Sequence, residues 1–146
     1  MTEVHVTADT NILASGAVVT RRNSAPVRFV SAWQEKAFTL VLSDHILGEL
    51  DTTLSQPYFA RRLPPGRYAE YMSGLRHQAI IVLPAPAIQG VASHPEDDLV
   101  LATAVSGKAE YLVTGDHRLL ALKQYEEVII VSVHAFLGLL PGLSPG

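Results

Sequence analysis

The ten residues VHVTADTNIL, Val4 to Leu13, decide how this chain is read. Valine and threonine on either side of His5 favour an extended backbone. The run stops at an acid, Asp9, followed by the polar pair Thr10-Asn11. Ile12-Leu13 then opens a short helical turn that Ser15-Gly16 is expected to end. The stretch reads as a buried strand, Val4–Ala8, that delivers a carboxylate to the tip of a sheet. Three later acids, Glu49, Asp97 and Asp116, stand near similar strand-to-helix transitions, so the rest of the chain is read outward from this one.

Ala17–Ala25 is mixed in character and reads as a loop. Ser24-Ala25-Pro26 starts a helix, with serine as N-cap and proline in the first turn; it is expected to reach about Lys36. Phe38–Leu42 is a second buried strand. After Ser43, Ile46, Leu50 and Leu54 recur every four residues with Leu47 beside them, which is helical periodicity. Glu49 flanks that stripe, and Gln56-Pro57 breaks it. Tyr58–Leu63 is a short helical link and Arg67–Gln78 an exposed helix. Ala79–Leu83 is a third apolar strand. Ser93-His94-Pro95-Glu96 opens a helix that carries Asp97 and Asp98 and stops at Gly107. Tyr111–Thr114 is a fourth strand, and Gly115-Asp116 leads into a short helix, His117–Leu122. Val128–Val133 is a fifth strand, and His134–Leu140 a last short helix.

Near-continuous Val/Ile/Leu runs imply strands covered on both faces, which favours a parallel sheet. The expected class is therefore α/β, a three-layer α/β/α sandwich with a central, mainly parallel five-stranded sheet. Sites in such folds lie beyond the carboxyl ends of the strands, where Asp9 and Asp116 stand. At 146 residues the chain fits one domain, since domains commonly run roughly 100–150 residues. That domain is placed at residues 1–140, with 141–146 as a Pro/Gly tail.

Hydrophobic residues make up 48% of the chain, enough for a real core, and the net charge is −3. That balance argues against a broadly basic nucleic-acid coat. The absence of cysteine excludes disulfides, thiolate zinc sites and cysteine nucleophiles. There is no signal-peptide pattern, and no apolar run approaches the about 20 residues of a membrane helix. The expectation is a soluble cytoplasmic protein with no membrane association.

A cluster of three or four carboxylates repels itself unless cations enter it. Hard divalent ions, Mg²⁺ or Mn²⁺, prefer oxygen ligands. One such ion can activate a water for attack on a phosphodiester, and a second, about 4 Å away, can stabilise the leaving oxygen. None of the six histidines forms a zinc-type pair, and no Gly-rich phosphate loop is present.

The motifs Ala8-Asp9-Thr10-Asn11-Ile12-Leu13, Ser43-x-x-Ile46-Leu47-x-Glu49-Leu50, Pro95-Glu96-Asp97-Asp98 and Leu112-Val113-Thr114-Gly115-Asp116-x-x-Leu119-Leu120 together resemble the PIN-domain family. The nearest part of it is the VapC-like group, the toxins of bacterial toxin–antitoxin systems. Each motif alone is weak; four in order, from Val4 to Leu137, are specific. The resemblance implies a Mg²⁺- or Mn²⁺-dependent endoribonuclease acting on RNA, with one or two ions. It implies Asp9, Glu49, Asp97 and Asp116 as catalytic metal ligands, and Asn11 and Thr114 as residues that help orient them. It also implies an antitoxin partner and a homodimer. His94 departs from the pattern, since related sequences often carry an acid there. Asp98 stays open as the alternate to Asp97: the Asp-then-apolar helix start favours Asp97, but helical phase does not separate them.

Each acid also has a plain reading. Asp9 and Asp116 can be helix caps, Asp97-Asp98 can complement a helix dipole, and Glu49 can be a surface acid. His5, His45 and His117 read as structural or solvated residues. Arg21, Arg22, Arg61 and Arg62 are the candidate RNA contacts, because the guanidinium fork suits phosphate; a solvated surface accounts for each one singly. The alternative function is a non-catalytic PIN-like module that binds RNA or protein. Phosphoaspartate enzymes fit less well, since Asn11 stands where a dehalogenase-type site wants a second Asp.

Overall fold

A computed structural model of the chain describes residues 3–18, 23–84, 90–91 and 95–143. Its first strand, β1 (His5–Ala8), is fully buried at Val6, Thr7 and Ala8. Successive strand residues face opposite ways, so an unbroken buried run means that both faces are covered. β2 (Thr39–Leu42) repeats this with Leu40, Val41 and Leu42, all fully buried. β1 and β2 pair in parallel, with Val6 opposite Leu40, and the Thr7 hydroxyl donates to the Val41 carbonyl at 2.9 Å.

The remaining elements follow in order: α1 (Thr10–Ala17), α2 (Ala25–Gln34), α3 (Asp44–Leu54), α4 (Pro57–Ala60), α5 (Arg67–Gln78), β3 (Ile80–Ile81), α6 (Pro95–Ser106), β4 (Tyr111–Val113), α7 (His117–Leu122), β5 (Gln124–Tyr125), β6 (Val128–Val131) and α8 (Val133–Leu143). The strands form one sheet in the order β3-β2-β1-β4-β6-β5. Every neighbouring pair is parallel except β5 with β6. Parallel neighbours need crossover segments, and these supply the outer layers.

Val41 marks one face. A Cβ at Gly107, just past α6, would lie 2.1 Å from Val41 Cγ1, so glycine both ends α6 and lets it seat on β2. Leu40 and Leu42 point the other way. There α1 packs against α2 and α3, and α2 against α8. Phe29, Phe38 and Phe136 pack ring to ring, with centroids 4.9 to 5.6 Å apart, and Tyr111 of β4 joins them through Phe136. This is the expected three-layer α/β/α sandwich.

Several details differ from the sequence reading. The sheet has six strands rather than five. The extra one, β5, is only Gln-Tyr and forms a hairpin with β6 through Glu126, whose φ is 52°; two such residues leave no apolar run to notice. The third strand shrinks to Ile80–Ile81 and lies at the sheet edge, where both residues are exposed at 40% and 39%. An edge strand has one neighbour, so its apolar composition does not translate into burial. α1 continues through Gly16 to Ala17. A Cβ at Gly16 would sit 2.3 Å from Val30 Cγ2 and 2.6 Å from the Pro26 carbonyl oxygen, so this glycine permits close packing of α1 on α2. α2 stops at Gln34, before the expected Lys36. α8 runs past Leu140 to Leu143 with Pro141 inside it, so part of the expected tail is helical.

Candidate active site

The centre of the site grows from the β1–β4 pair. Ala8 stands opposite Val113, so the segments that follow both strands leave the sheet at the same end. The Asp9 amide donates to the Val113 carbonyl at 3.2 Å. Thr114 is fully buried between them. Its hydroxyl donates to Asp9 Oδ2 and accepts from the Asp116 amide, the latter at 3.0 Å. One side chain therefore sets the spacing of two acidic segments.

Both acids are also caps. Asp9 Oδ1 accepts from the Ile12 amide at 3.1 Å and starts α1. Asp116 Oδ1 accepts from Arg118 N at 2.7 Å and from Leu119 N at 3.3 Å and starts α7. The capping reading and a site reading are thus compatible, because a carboxylate has enough lone pairs for both.

Glu49 arrives on α3. Ser43 caps that helix at the Ile46 amide, and Ile46, Leu47, Leu50 and Leu54 bury its apolar stripe. Glu49 stands at the edge of the stripe, its side chain 32% exposed, with His45 Nε2 2.6 Å from its Oε1. Asp97 and Asp98 open α6 and separate clearly. Asp98 is 7% exposed and accepts from the Gly90 amide at 2.9 Å. Successive helical residues point about 100° apart, and Asp97 takes the other direction, toward the strand tips.

Asp9, Glu49, Asp97 and Asp116 all line one cavity of about 400 Å³. Thr10, Asn11, Glu96, Val100, Gly115 and Arg118 complete the lining. All four acids named from the sequence are therefore brought together, with Asn11 beside them and Thr114 just beneath; Asp98 is not part of the lining. Glu96, Arg118 and Thr10 were not singled out by sequence. Glu96 belongs to the Ser93-x-x-Glu96 helix-start pattern, which accounts for it as a cap, and Arg118 adjoins a named acid with no apolar period or cap pattern to mark it.

Of the predicted RNA contacts, Arg61 and Arg62 lie at the end of α4, outside the cavity lining. Arg61 Nε donates to the Pro57 carbonyl and Arg62 Nη1 to that of Tyr58, with Arg62 stacked 3.8 Å above the Tyr58 ring. Arg21, Arg22 and His94 lie outside the described residues. His117 is exposed and does not line the cavity.

The electrostatics follow from crowding acids at a half-buried strand end. Burial pushes the Asp9 carboxyl above the usual carboxylate range, and Asp116 adds to this, while the Thr114 hydroxyl and the Ile12 and Gly115 amides oppose it. Glu49 is raised in the same direction, first by burial, then by Glu96 and Asp9, against the pull of His45. A cation would relieve this repulsion. The donors are all oxygen, which suits a hard divalent ion. The Thr10 hydroxyl is buried in the same lining without a hydrogen-bond partner among the described residues, so the lining has polar capacity to spare. Among the described residues no three His, Cys, Asp or Glu side chains form a ready-made cation cage: the acids share a cavity rather than a single point.

Comparison with known proteins gives a consistent picture. A family profile described as the PIN domain matches residues 5–118. No curated protein matches the sequence. Among solved structures, the chain is similar to VapBC2 from Rickettsia felis bound to a DNA fragment from their promoter. The identity is 17% and the TM-score 0.59, over 88% of this chain and 98% of that one. It is also similar to Mycobacterium tuberculosis VapC20, a sarcin-ricin loop cleaving toxin. There the identity is 17% and the TM-score 0.55, over 85% of this chain and 98% of that one. At such identity the likeness is one of fold.

Proposed function

The chain belongs to the PIN-domain family, and from that premise we propose that it is a divalent-metal-dependent endoribonuclease, the toxin of a toxin–antitoxin pair. The observation that carries the proposal is the convergence of four acids, from four separate segments, on one cavity beyond the carboxyl ends of the strands. The fold it shares with VapBC2 and with the toxin VapC20 supports the toxin assignment.

Asp9, Glu49, Asp97 and Asp116 would hold one or two Mg²⁺ or Mn²⁺ ions. When bound, such an ion would supply charge stabilisation at a phosphate and make a nearby water more acidic. The chain's own contribution is placement. Thr114 holds Asp9 through its hydroxyl and the Asp116 backbone through its oxygen. The two caps fix those acids to the starts of α1 and α7. His45 holds Glu49 through Nε2, 2.6 Å from its Oε1, and Asn11 stands at the cavity wall to steady the acids. The same reading assigns residues 1–140 to one nuclease domain, active in the cytoplasm as a homodimer and restrained by an antitoxin protein.

The test uses the full chain, a fluorescent single-stranded RNA and a Mn²⁺ titration. The expected result is metal-dependent cleavage that Asp9→Asn abolishes while thermal unfolding stays cooperative. Undiminished cleavage by that variant sinks the assignment. A mobility shift by the native chain without products, at any Mn²⁺ concentration, would favour a binding module instead.

A further inference from the structure

The corner where α4 ends carries charge of the opposite sign to the acid-lined cavity. Residues 52–69 hold three arginines and no acid, in a chain whose net charge is −3. Arg67 is engaged away from this corner, donating to the Ala17 carbonyl and facing the Tyr71 ring. Arg61 and Arg62 remain. Arg61 is exposed and donates through Nε to the Pro57 carbonyl at 3.1 Å. Among the described residues its Nη1 and Nη2 bond nothing. The Nε bond orients the guanidinium plane, and the two terminal nitrogens can grip two oxygens of one phosphate.

Beside Arg61 stands a stacked pair. The Arg62 guanidinium lies 3.8 Å above the Tyr58 ring, and its Nη1 donates to the Tyr58 carbonyl at 2.8 Å. Phe59 and Leu63 pack against the core, so Tyr58, 52% exposed, is the large apolar side chain of α4 left in solvent. One such ring falls far short of the roughly 800 Å² a side of a stable protein interface. It does suit an unstacked base, since aromatic rings and guanidinium planes both take bases by stacking.

The acids and this corner are joined by α3. A second cavity, of about 470 Å³, shares Glu49 and Glu96 with the first and is lined along α3 by His45, Gly48, Thr52 and Thr53. Its further acid, Asp44, lies 3.9 Å from Arg76. Glycine is unfavourable inside a helix, and a Cβ at Gly48 would meet nothing within 4 Å, so packing does not require it. What the missing side chain leaves is a low floor beside Glu49. Thr52 and Thr53 stand in the last turn of α3, and α4 is the next element and packs on α3. A strand leaving the acids along this trough is led to the end of α3 where α4 begins.

We propose that the α4 corner is a second contact for single-stranded RNA, outside the acidic cavity: a base stacks on the Tyr58–Arg62 pair and a neighbouring phosphate is held by Arg61. This rests on the nuclease reading above. The test measures binding of a fluorescein-labelled oligouridylate to the full chain carrying Asp9→Asn, in Mn²⁺, with and without changes at the corner. Tyr58→Ala should weaken affinity by on the order of ten-fold, the scale of one lost base stack, and Tyr58→Phe, which keeps the ring, should restore it. Arg61→Gln should make the slope of log affinity against log salt shallower by about 0.7, one phosphate contact on a single strand, with an unchanged melting temperature. In the otherwise native chain, Tyr58→Ala should raise KM for the same RNA and leave kcat within about two-fold, as loss of uniform binding does.

Unchanged affinity, slope and KM in these variants overturn the inference while leaving the nuclease reading intact. A changed oligomeric state in Tyr58→Ala with unchanged RNA affinity and KM also overturns it, and makes the corner a protein contact. Absence of Mn²⁺-dependent cleavage by the native chain overturns the nuclease reading, and this inference with it.

Discussion

Asp9 and Asp116 stand at the ends of strands, whereas Glu49 and Asp97 stand on helices, and the two pairs are held in different ways. The strand-tip acids are bound on several sides. Their amides bond Val113 and Thr114, their oxygens cap α1 and α7, and the buried Thr114 hydroxyl joins the two segments. Glu49 has a longer side chain, about one-third exposed, with a histidine from the preceding turn beside it. Its position depends on how α3 packs on the sheet. The first pair is placed by hydrogen bonds at the strand ends, and Glu49 by the packing of its whole helix. On the nuclease reading proposed above, the strand tips supply a cavity edge fixed by hydrogen bonds, and α3 supplies one whose position follows helix packing.

The largest test of that difference is activity. Asp9→Asn should reduce Mn²⁺-dependent cleavage to background, while Glu49→Gln should leave a measurable residue of it in the same assay. Equal losses would break the distinction between the two edges. Next in size is Thr114→Val, which keeps the shape but removes the hydroxyl shared by both strand-tip segments. Cleavage should fall by about 10–100-fold, the usual cost of removing a group that orients metal ligands. The acid limb of the pH–rate profile should move to higher pH, because the hydroxyl that favours ionised Asp9 is gone and burial then raises its pKa further. A profile that stays in place would mean that Thr114 does not tune Asp9.

Smaller effects separate the neighbours Asp97 and Asp98. Asp97→Ala should cost Mn²⁺-dependent cleavage, since its carboxylate lines the cavity. Asp98→Ala should instead cost about 1.5–3 kcal/mol in chemical denaturation, the scale of a lost hydrogen bond to a charged group. The reverse pattern would assign the site role to Asp98. The smallest effect is on stability without metal. Asp9 has a raised native pKa, so the native state holds its proton more tightly than the unfolded chain does. Above that native pKa, folding must bury the charge, and stability declines as pH rises through it. Asp9→Asn removes the charge and keeps a side chain that can cap α1. In EDTA it should melt higher than the native chain at neutral pH, and the gap should narrow as pH falls through the raised pKa. A gap that widens on acidification would contradict burial as the dominant influence on Asp9.

Much of this architecture is legible in the chain. β1, β2, β4 and β6 announce themselves as short Val/Ile/Leu runs, because strands covered on both faces have no polar side to show. The caps Ser24 and Ser43 mark two helix starts. The four acids could be named because each falls close to where an apolar period changes. Arg118 was not legible: an arginine in the first turn of a six-residue helix looks like any solvated residue until the cavity beside it is seen. Glu96 was hidden by the more informative Asp97-Asp98 pair that follows it. Asp97 could not be told from Asp98 by phase alone, and the Gly90 amide that takes up Asp98 comes from eight residues earlier, beyond any local pattern.

The amino-acid sequence by itself determined most element types, the parallel α/β class and Asp9, Glu49 and Asp116 as candidate site acids, because periodicity, capping and turn chemistry act between residues close along the chain. Only the tertiary structure decided that β3 is an exposed edge, that Gly16 and Gly107 are close-packing points, that one threonine ties Asp9 to Asp116, and that an arginine faces the acids. Those outcomes depend on which distant segments become neighbours, and strand order and helix packing, rather than local preference, settle that.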